Sequence, residues 1–251
     1  MTAEKATSYM WVYCCGSDSP SEKTNIVLYD YHNSRAAQCA IDFLDGYQGY
    51  MHVDGYKAYG LTEATLVACL AHIRRKFVDA KKIQAKKTTG KVDVVLSLIG
   101  KLYGIEQQIK GKSSKDKFTI RQSHAKPIVK ELHHWLIKHK DKIPPKSKLG
   151  EAISYSLNQF DKFQRYLDDG RLSIDNNRAE RAIKPFVIGR KAWLFSNTCN
   201  GAHASAILYS LVETAKTNGL VVHDYISRCL QHIAEQPNNL ERLLPWNIER
   251  S

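Results

Sequence analysis

Apolar residues follow two patterns along this chain: short aromatic and β-branched runs at the start, and helical spacing further on. "SYMWVYC" (Ser8 to Cys14) and "NIVLYDY" (Asn25 to Tyr31) flank the turn-forming "GSDSPSEK", which predicts a hairpin. "SRAAQCAIDFL" (Ser34 to Leu44) opens on a capping-type Ser and spaces Ala37, Ala40, Ile41 and Leu44 along one helical face. Next come "GYMHVDGY" (Gly49 to Tyr56), a short strand ending at Asp54 and Gly55, and the apolar strand "ATLVACL" (Ala64 to Leu70). A basic helix, "AHIRRKFVDAKK", begins at Ala71. The order β-β-α-β-β-α implies a mixed sheet.

From about Val92 to Asp169 the period changes. Leu96, Ile99, Leu102, Tyr103 and Ile105 share a helical face, as do Ile128, Val129, Leu132, Trp135 and Leu136, with polar breaks at "KGKSSKDK" and "KDKIPPKSK". This reads as a helical insertion. After it come "RLSIDNNRAERAIKP", a strand-like "AWLFS" (Ala192 to Ser196), helices over Ala202–Thr217 and Val222–Glu235, and a closing "LLPWNIER".

Composition narrows the class. With 251 residues, 43% of them apolar, the chain can bury a substantial core. Lys plus Arg number 37 against 25 acids, a net charge of +12, which favours a polyanionic partner such as nucleic acid. Six dispersed cysteines fit a reducing compartment better than a disulfide scaffold. No apolar run approaches the roughly 20 residues of a membrane span, so a soluble, cytoplasmic protein is expected.

Two acids stand out. Asp54, at a strand end before a Gly turn, is placed either to start that turn or to reach a metal at an open edge. Glu180 lies three residues after Asn177, which suits a capping box, and four before Lys184, which suits a helical ion pair. Neither role accounts for Arg178, Arg181, Arg190 and Lys191 around it, since the helix dipole disfavours cations near an N-terminus. A phosphate partner does. "CLAHIRRKF" offers Cys69 and His72, half of a zinc site with no second pair, and a cationic run of Arg74, Arg75 and Lys76. Two acids with two basic patches are the parts of a metal-dependent phosphoryl-transfer site.

"GYMHVDGYKAYG", "CLAHIRRKF", "DNNRAERAIKPFVIGRKAWLFSNTCNGAHASA" and "LLPWNIER" together resemble transposases of the insertion sequence 66 family, in this order and over nearly the whole chain. The resemblance implies an α/β fold: an RNase H-like mixed sheet flanked by helices, with a large α-helical insertion and a helical C-terminal element. It sets a catalytic domain at 1–206, with the insertion at about 92–169, and the C-terminal element at 207–251. It implies a DDE transposase that cleaves DNA strands and transfers them, with Asp54 as the second catalytic Asp and Glu180 as the Glu. Both would bind a pair of magnesium (or manganese) ions. Cys69 and His72 match a C-x-x-H signature, and His72, Arg74, Arg75, Lys76, Arg178, Arg181, Arg190 and Lys191 would contact DNA. The partners implied are transposon ends and target DNA, with the protein as a homo-oligomer at the bacterial nucleoid.

One departure accompanies the matches. The family's first catalytic Asp belongs to a "DET"-type motif on a strand upstream of "WVY", where this chain has only "MTAEKATSY". Glu4 lacks the motif context, and Asp18 and Asp30 belong to other segments. The expectation is therefore a truncated or split copy, its missing strand supplied by an upstream chain. The alternatives are a DNA-binding remnant without catalysis and a structure-specific nuclease or resolvase on the same core.

Overall fold

The structure, a computed structural model, describes residues 8–16, 24–83, 90–192, 196, 198–236 and 238–248. It is mixed α/β, mostly helical, with two small sheets. The chain divides into two compact units, Met1–Cys39 with Asn177–Ser251, and Ala40–Asn176. The boundary falls within helix α1, Ala37–Phe43.

In the first unit, strands β1 (Tyr9–Cys15) and β2 (Ile26–His32) form the expected hairpin, antiparallel with Trp11 opposite Asp30. Most of its expected turn, residues 17–23, lies outside the described residues. Helices α7 (Asn177–Ala192), α8 (Cys199–Thr217) and α9 (Val222–Glu235) complete the unit. Val27, Tyr29 and Ala206 form its buried centre, with Ala182, Ile183 and Phe186 of α7 packed against it. Of the strand-like "AWLFS", Ala192 closes α7 and residues 193–195 lie outside the described residues.

Helix α8 closes the edge of β2 that faces away from β1. Thr214 Oγ1 accepts from Val27 N at 3.0 Å and donates to Val27 O at 2.9 Å. One helical turn on, Asn218 Oδ1 accepts from Asn25 N at 3.3 Å and its Nδ2 donates to Asn25 O at 2.6 Å. One turn back, Ser210 Oγ accepts from Tyr29 N at 2.8 Å. Residues four apart on the helix thus serve residues two apart on the strand, and buried main-chain groups that no strand pairs are satisfied by side chains.

In the second unit, β3 (Tyr50–Val53) and β4 (Thr65–Ala68) pair in parallel, Val53 opposite Ala68. Among the described residues the four strands thus make two separate pairs and not one continuous sheet. Side chains take up edge positions in both: here Arg165 Nη1 donates to Leu66 O at 2.8 Å. Helix α2 (Leu70–Ile83) follows β4 directly, and its buried face is Leu70, Ile73, Phe77 and Ala80. The stretch from about 92 to 169 is helical, as its periodicity suggests: α3 (Lys91–Gln108), α4 (Ser114–Ile120), a π-helical turn at Arg121–Ala125, α5 (Lys126–Lys140) and α6 (Lys148–Gln164). Of these helices, α3, α5 and α6 share one core with α2 and β4, including Val67, Phe77, Ile99, Leu132, Ile153 and Phe163.

The segment from α6 to α7 is pinned along its length. Arg121, 2% exposed, grips Glu106 with two hydrogen bonds of 2.9 and 2.7 Å and donates from Nη1 to Tyr166 O and Asp169 O. Gln122 Nε2 reaches Leu167 O at 2.8 Å. A Cβ on Gly170 would stand 1.8 Å from Ser114 O, so only glycine fits there.

Candidate functional site

Asp54 directly follows β3 and is exposed. Its Oδ1 accepts from Tyr56 N at 3.0 Å, an Asx turn, and Gly55 takes φ +90°, which suits glycine. Because β3 and β4 run in parallel, both carboxyl ends lie on the same side, where open α/β sheets place their ligands. Across from Asp54 the chain turns through Cys69 into α2. With Ile73 and Phe77 committed to the core, Arg74, Arg75 and Lys76 are exposed. His72 is half-buried, its Nδ1 3.3 Å from Arg75 Nη1.

Tyr155, on α6, joins these groups. A Cβ on Gly55 would lie 3.2 Å from its hydroxyl, and Lys76 Nζ stands 5.5 Å over its ring centroid. Burial raises its pKa, the neighbouring Cys69 and Asp54 raise it further, and Arg75 opposes them. The phenol is therefore a neutral donor. Sequence reading missed it, since nothing in the period of α6 singles out one half-buried Tyr.

The residues leading into α7 are sewn to the same strand ends. Ser173 N donates to His52 Nε2 at 3.3 Å, Leu70 N to Ile174 O at 3.1 Å, and Asn176 N to Cys69 Sγ at 3.2 Å. Tyr103, from α3, donates its hydroxyl to Asp175. Burial pushes the His52 imidazole down to about 4, consistent with a neutral ring accepting a main-chain N–H. Cys69 is buried and its thiol pushed up by that burial; it serves as an acceptor here. Among the described residues no group of three His, Cys, Asp or Glu side chains could hold a metal ion, and that includes the Cys69–His72 pair.

In the other unit, α7 carries Glu180, Arg178, Arg181, Arg190 and Lys191. The helix runs from Asn177 to Ala192, with Pro185 inside it. Glu180 is half-exposed in the first turn. Arg178 is committed inward: its Nη2 donates to Cys15 O and to Asn25 Oδ1, both at 2.8 Å. Tyr29 donates its hydroxyl to Ala182 O, so α7 is fastened to the hairpin on both sides of Glu180. Arg181 and Lys191 are exposed and Arg190 is half-buried; at 1.5 Å per residue, Arg190 starts about 15 Å along the helix from Glu180.

A family model described as "Transposase IS66 family" matches residues 2–204, and one described as "IS66 C-terminal element" matches residues 210–246. Curated relatives come from Sinorhizobium fredii (strain NBRC 101917 / NGR234). Uncharacterized protein y4qI is 33% identical, covering 96% of this chain and 47% of its own length. Uncharacterized protein y4jD is 34% identical over 88% of this chain and 45% of its own, and y4hP 31% identical over 98% and 48%. The chain thus spans about half the length of the curated relatives it matches. No solved structure matches it.

Proposed function

We propose, from the premise that this chain belongs to the IS66 transposase family, that it is the DNA-cleaving and strand-transferring part of a DDE transposase, with an RNase H-like core. The observation that carries this reading is the surface at the carboxyl ends of β3 and β4. An exposed carboxylate, Asp54, stands there in the same unit as the cationic face of α2, and metal-dependent cleavage of a phosphodiester uses both, the acid for the metal and the cations for the phosphates.

Asp54 and Glu180 offer hard oxygen donors of the kind magnesium or manganese takes. A pair of such ions, when bound, supplies an activated oxygen nucleophile and stabilises the leaving oxygen. The donor type fits, but among the described residues no group of three such side chains could hold a metal ion. A complete site on this reading requires a further carboxylate from beyond them. DNA ends and target are the substrates, Arg74, Arg75, Lys76, Arg181, Arg190 and Lys191 the backbone contacts, and His72 a neighbour that orients Arg75. Arg178 contributes to DNA only through donors other than Nη2. The working form is a homo-oligomer in the bacterial cytoplasm, and the domain division follows the two matched segments.

A second reading is a DNA-binding remnant that does not cut. Incubation with labelled element ends and magnesium or manganese separates the two. On the first reading strands are cleaved, and Asp54→Ala and Glu180→Ala each lower the rate by more than about a hundredfold, the upper range for a mere outer partner of a metal ligand. Unimpaired cleavage by both variants removes the site assignment. Salt-dependent binding without any metal-dependent cleavage establishes the second reading.

A further inference from the structure

We infer that Tyr155, on the last helix of the insertion, is a DNA-contact residue: its hydroxyl donates to a phosphate oxygen of the strand held at Asp54, with Lys76 as the accompanying cation. The inference rests on Asp54 marking where DNA lies, as proposed above.

Three independent observations on one unit carry it. The hydroxyl stands against the turn that follows Asp54, since a Cβ added to Gly55 would come within 3.2 Å of it. Glycine at that position, in addition to suiting φ +90°, leaves room for the phenol beside the acid. The ring is held by the core packing of α6, and Lys76 lies over it at 5.5 Å, so an exposed, flexible ammonium is kept at a defined place. Finally, the hydroxyl makes no hydrogen bond among the described residues, although the residue is half-buried. A half-buried donor between two cations and beside an acid is placed to give a hydrogen bond to an anionic acceptor from outside the chain. A neutral donor suits this place, because it adds a hydrogen bond to phosphate next to Asp54 without forming a competing ion pair with it.

The insertion on this view reaches DNA directly through α6, 101 residues beyond Asp54 in sequence. Tyr155 supplies a directional hydrogen bond and Arg75 and Lys76 supply charge. These contributions have different signatures. Removing a cation reduces the dependence of log K on log salt by about 0.9 for each phosphate no longer neutralised, whereas removing a neutral donor weakens binding at every salt concentration alike.

The test measures binding of the full chain to a short fluorescein-labelled DNA duplex across a potassium chloride series, with thermal unfolding of each variant alongside. Tyr155→Phe is expected to weaken binding by about tenfold, the worth of a hydrogen bond to a charged group, with an unchanged salt slope and an unchanged unfolding midpoint. Lys76→Gln is expected to lower the slope by about 0.9. Lys148→Gln, on the same helix and paired with Glu151, leaves both quantities as they were. If Tyr155→Phe binds like the unaltered chain while Lys76→Gln lowers the slope, the Tyr155 inference is overturned and the DNA-binding reading stands. Should Tyr155→Phe shift only the unfolding midpoint, the residue is structural and the inference again fails. Failure of the unaltered chain to bind the duplex overturns both. A Tyr155 effect together with undiminished cleavage by Asp54→Ala removes the catalytic reading and leaves the role of Tyr155 at DNA in place.

Discussion

At the scale of single residues, type and spacing in the sequence identify the charged groups but not what each one touches. Arg178 and Arg181 look alike in "NNRAERA", yet one ties α7 to the hairpin through Cys15 and Asn25 and the other is exposed. The difference comes from residues about 150 positions earlier in the chain, which no local pattern reveals. Asp175 likewise reads as a helix-start residue, and its partner Tyr103 lies on a helix 72 positions before it. The adjacent thiols of β1 make a further case. Burial pushes Cys14 up to about 11, with Arg178 opposing, while Cys15 is exposed. At pH 8 only about a thousandth of Cys14 is thiolate, so iodoacetamide should label Cys15 well before Cys14, as peptide mass mapping over time would record. Raising the pH toward 11 should narrow the gap, because thiolate rather than thiol is the nucleophile.

At the scale of elements, periodicity is a good guide where one face is buried. The hairpin strands fall within one residue of the reading from sequence, and α9 coincides with it over Val222–Glu235. Helix α5 follows the same logic, with Leu132 and Leu136 fully buried. What periodicity does not convey is how a strand edge is closed. The expectation of one mixed sheet assumes that strands pair with strands, and here Thr214, Asn218 and Ser210 of a helix serve β2. Thr214→Val keeps the shape of the side chain and removes both hydrogen bonds to Val27, leaving a buried N–H and C=O unsatisfied. The expected loss is about 2 kcal/mol or more, read as a lower urea midpoint at unchanged slope. Thr214→Ser, which retains the hydroxyl, should lose distinctly less.

For the whole molecule, the sequence blocks identify the family over nearly the entire chain, and matches to residues 2–204 and 210–246 agree with that. The two acids singled out belong to different compact units, Asp54 to one and Glu180 to the other. Charge is a property of the sum: with +12 over 251 residues and cationic runs in both units, the DNA association proposed above is expected to be an ionic-strength effect. Affinity for a duplex should fall by several orders of magnitude between 50 and 200 mM salt if roughly six or more phosphates are engaged, a range that fluorescence anisotropy covers. A shallow response, of one order or less, would restrict binding to one of the two patches. No helix among the described residues is long and apolar enough to cross a membrane.

The seam between α8 and β2 behaves like a vernier. Four residues of helix advance about 6.0 Å and two residues of strand about 6.7 Å, so the two scales drift by roughly 0.7 Å per step. They coincide at Thr214, where both hydrogen bonds are near 3 Å, and on either side the distances become unequal: 3.3 and 2.6 Å at Asn218, 2.8 and 3.5 Å at Ser210. The next graduation would be Ala206 against Tyr31, where the helix offers a methyl group and the strand instead sets its tyrosine ring edge-on to His203. A helix can therefore stand in for a strand over three rungs, and the mismatch of the two rulers sets the length of strand it can serve.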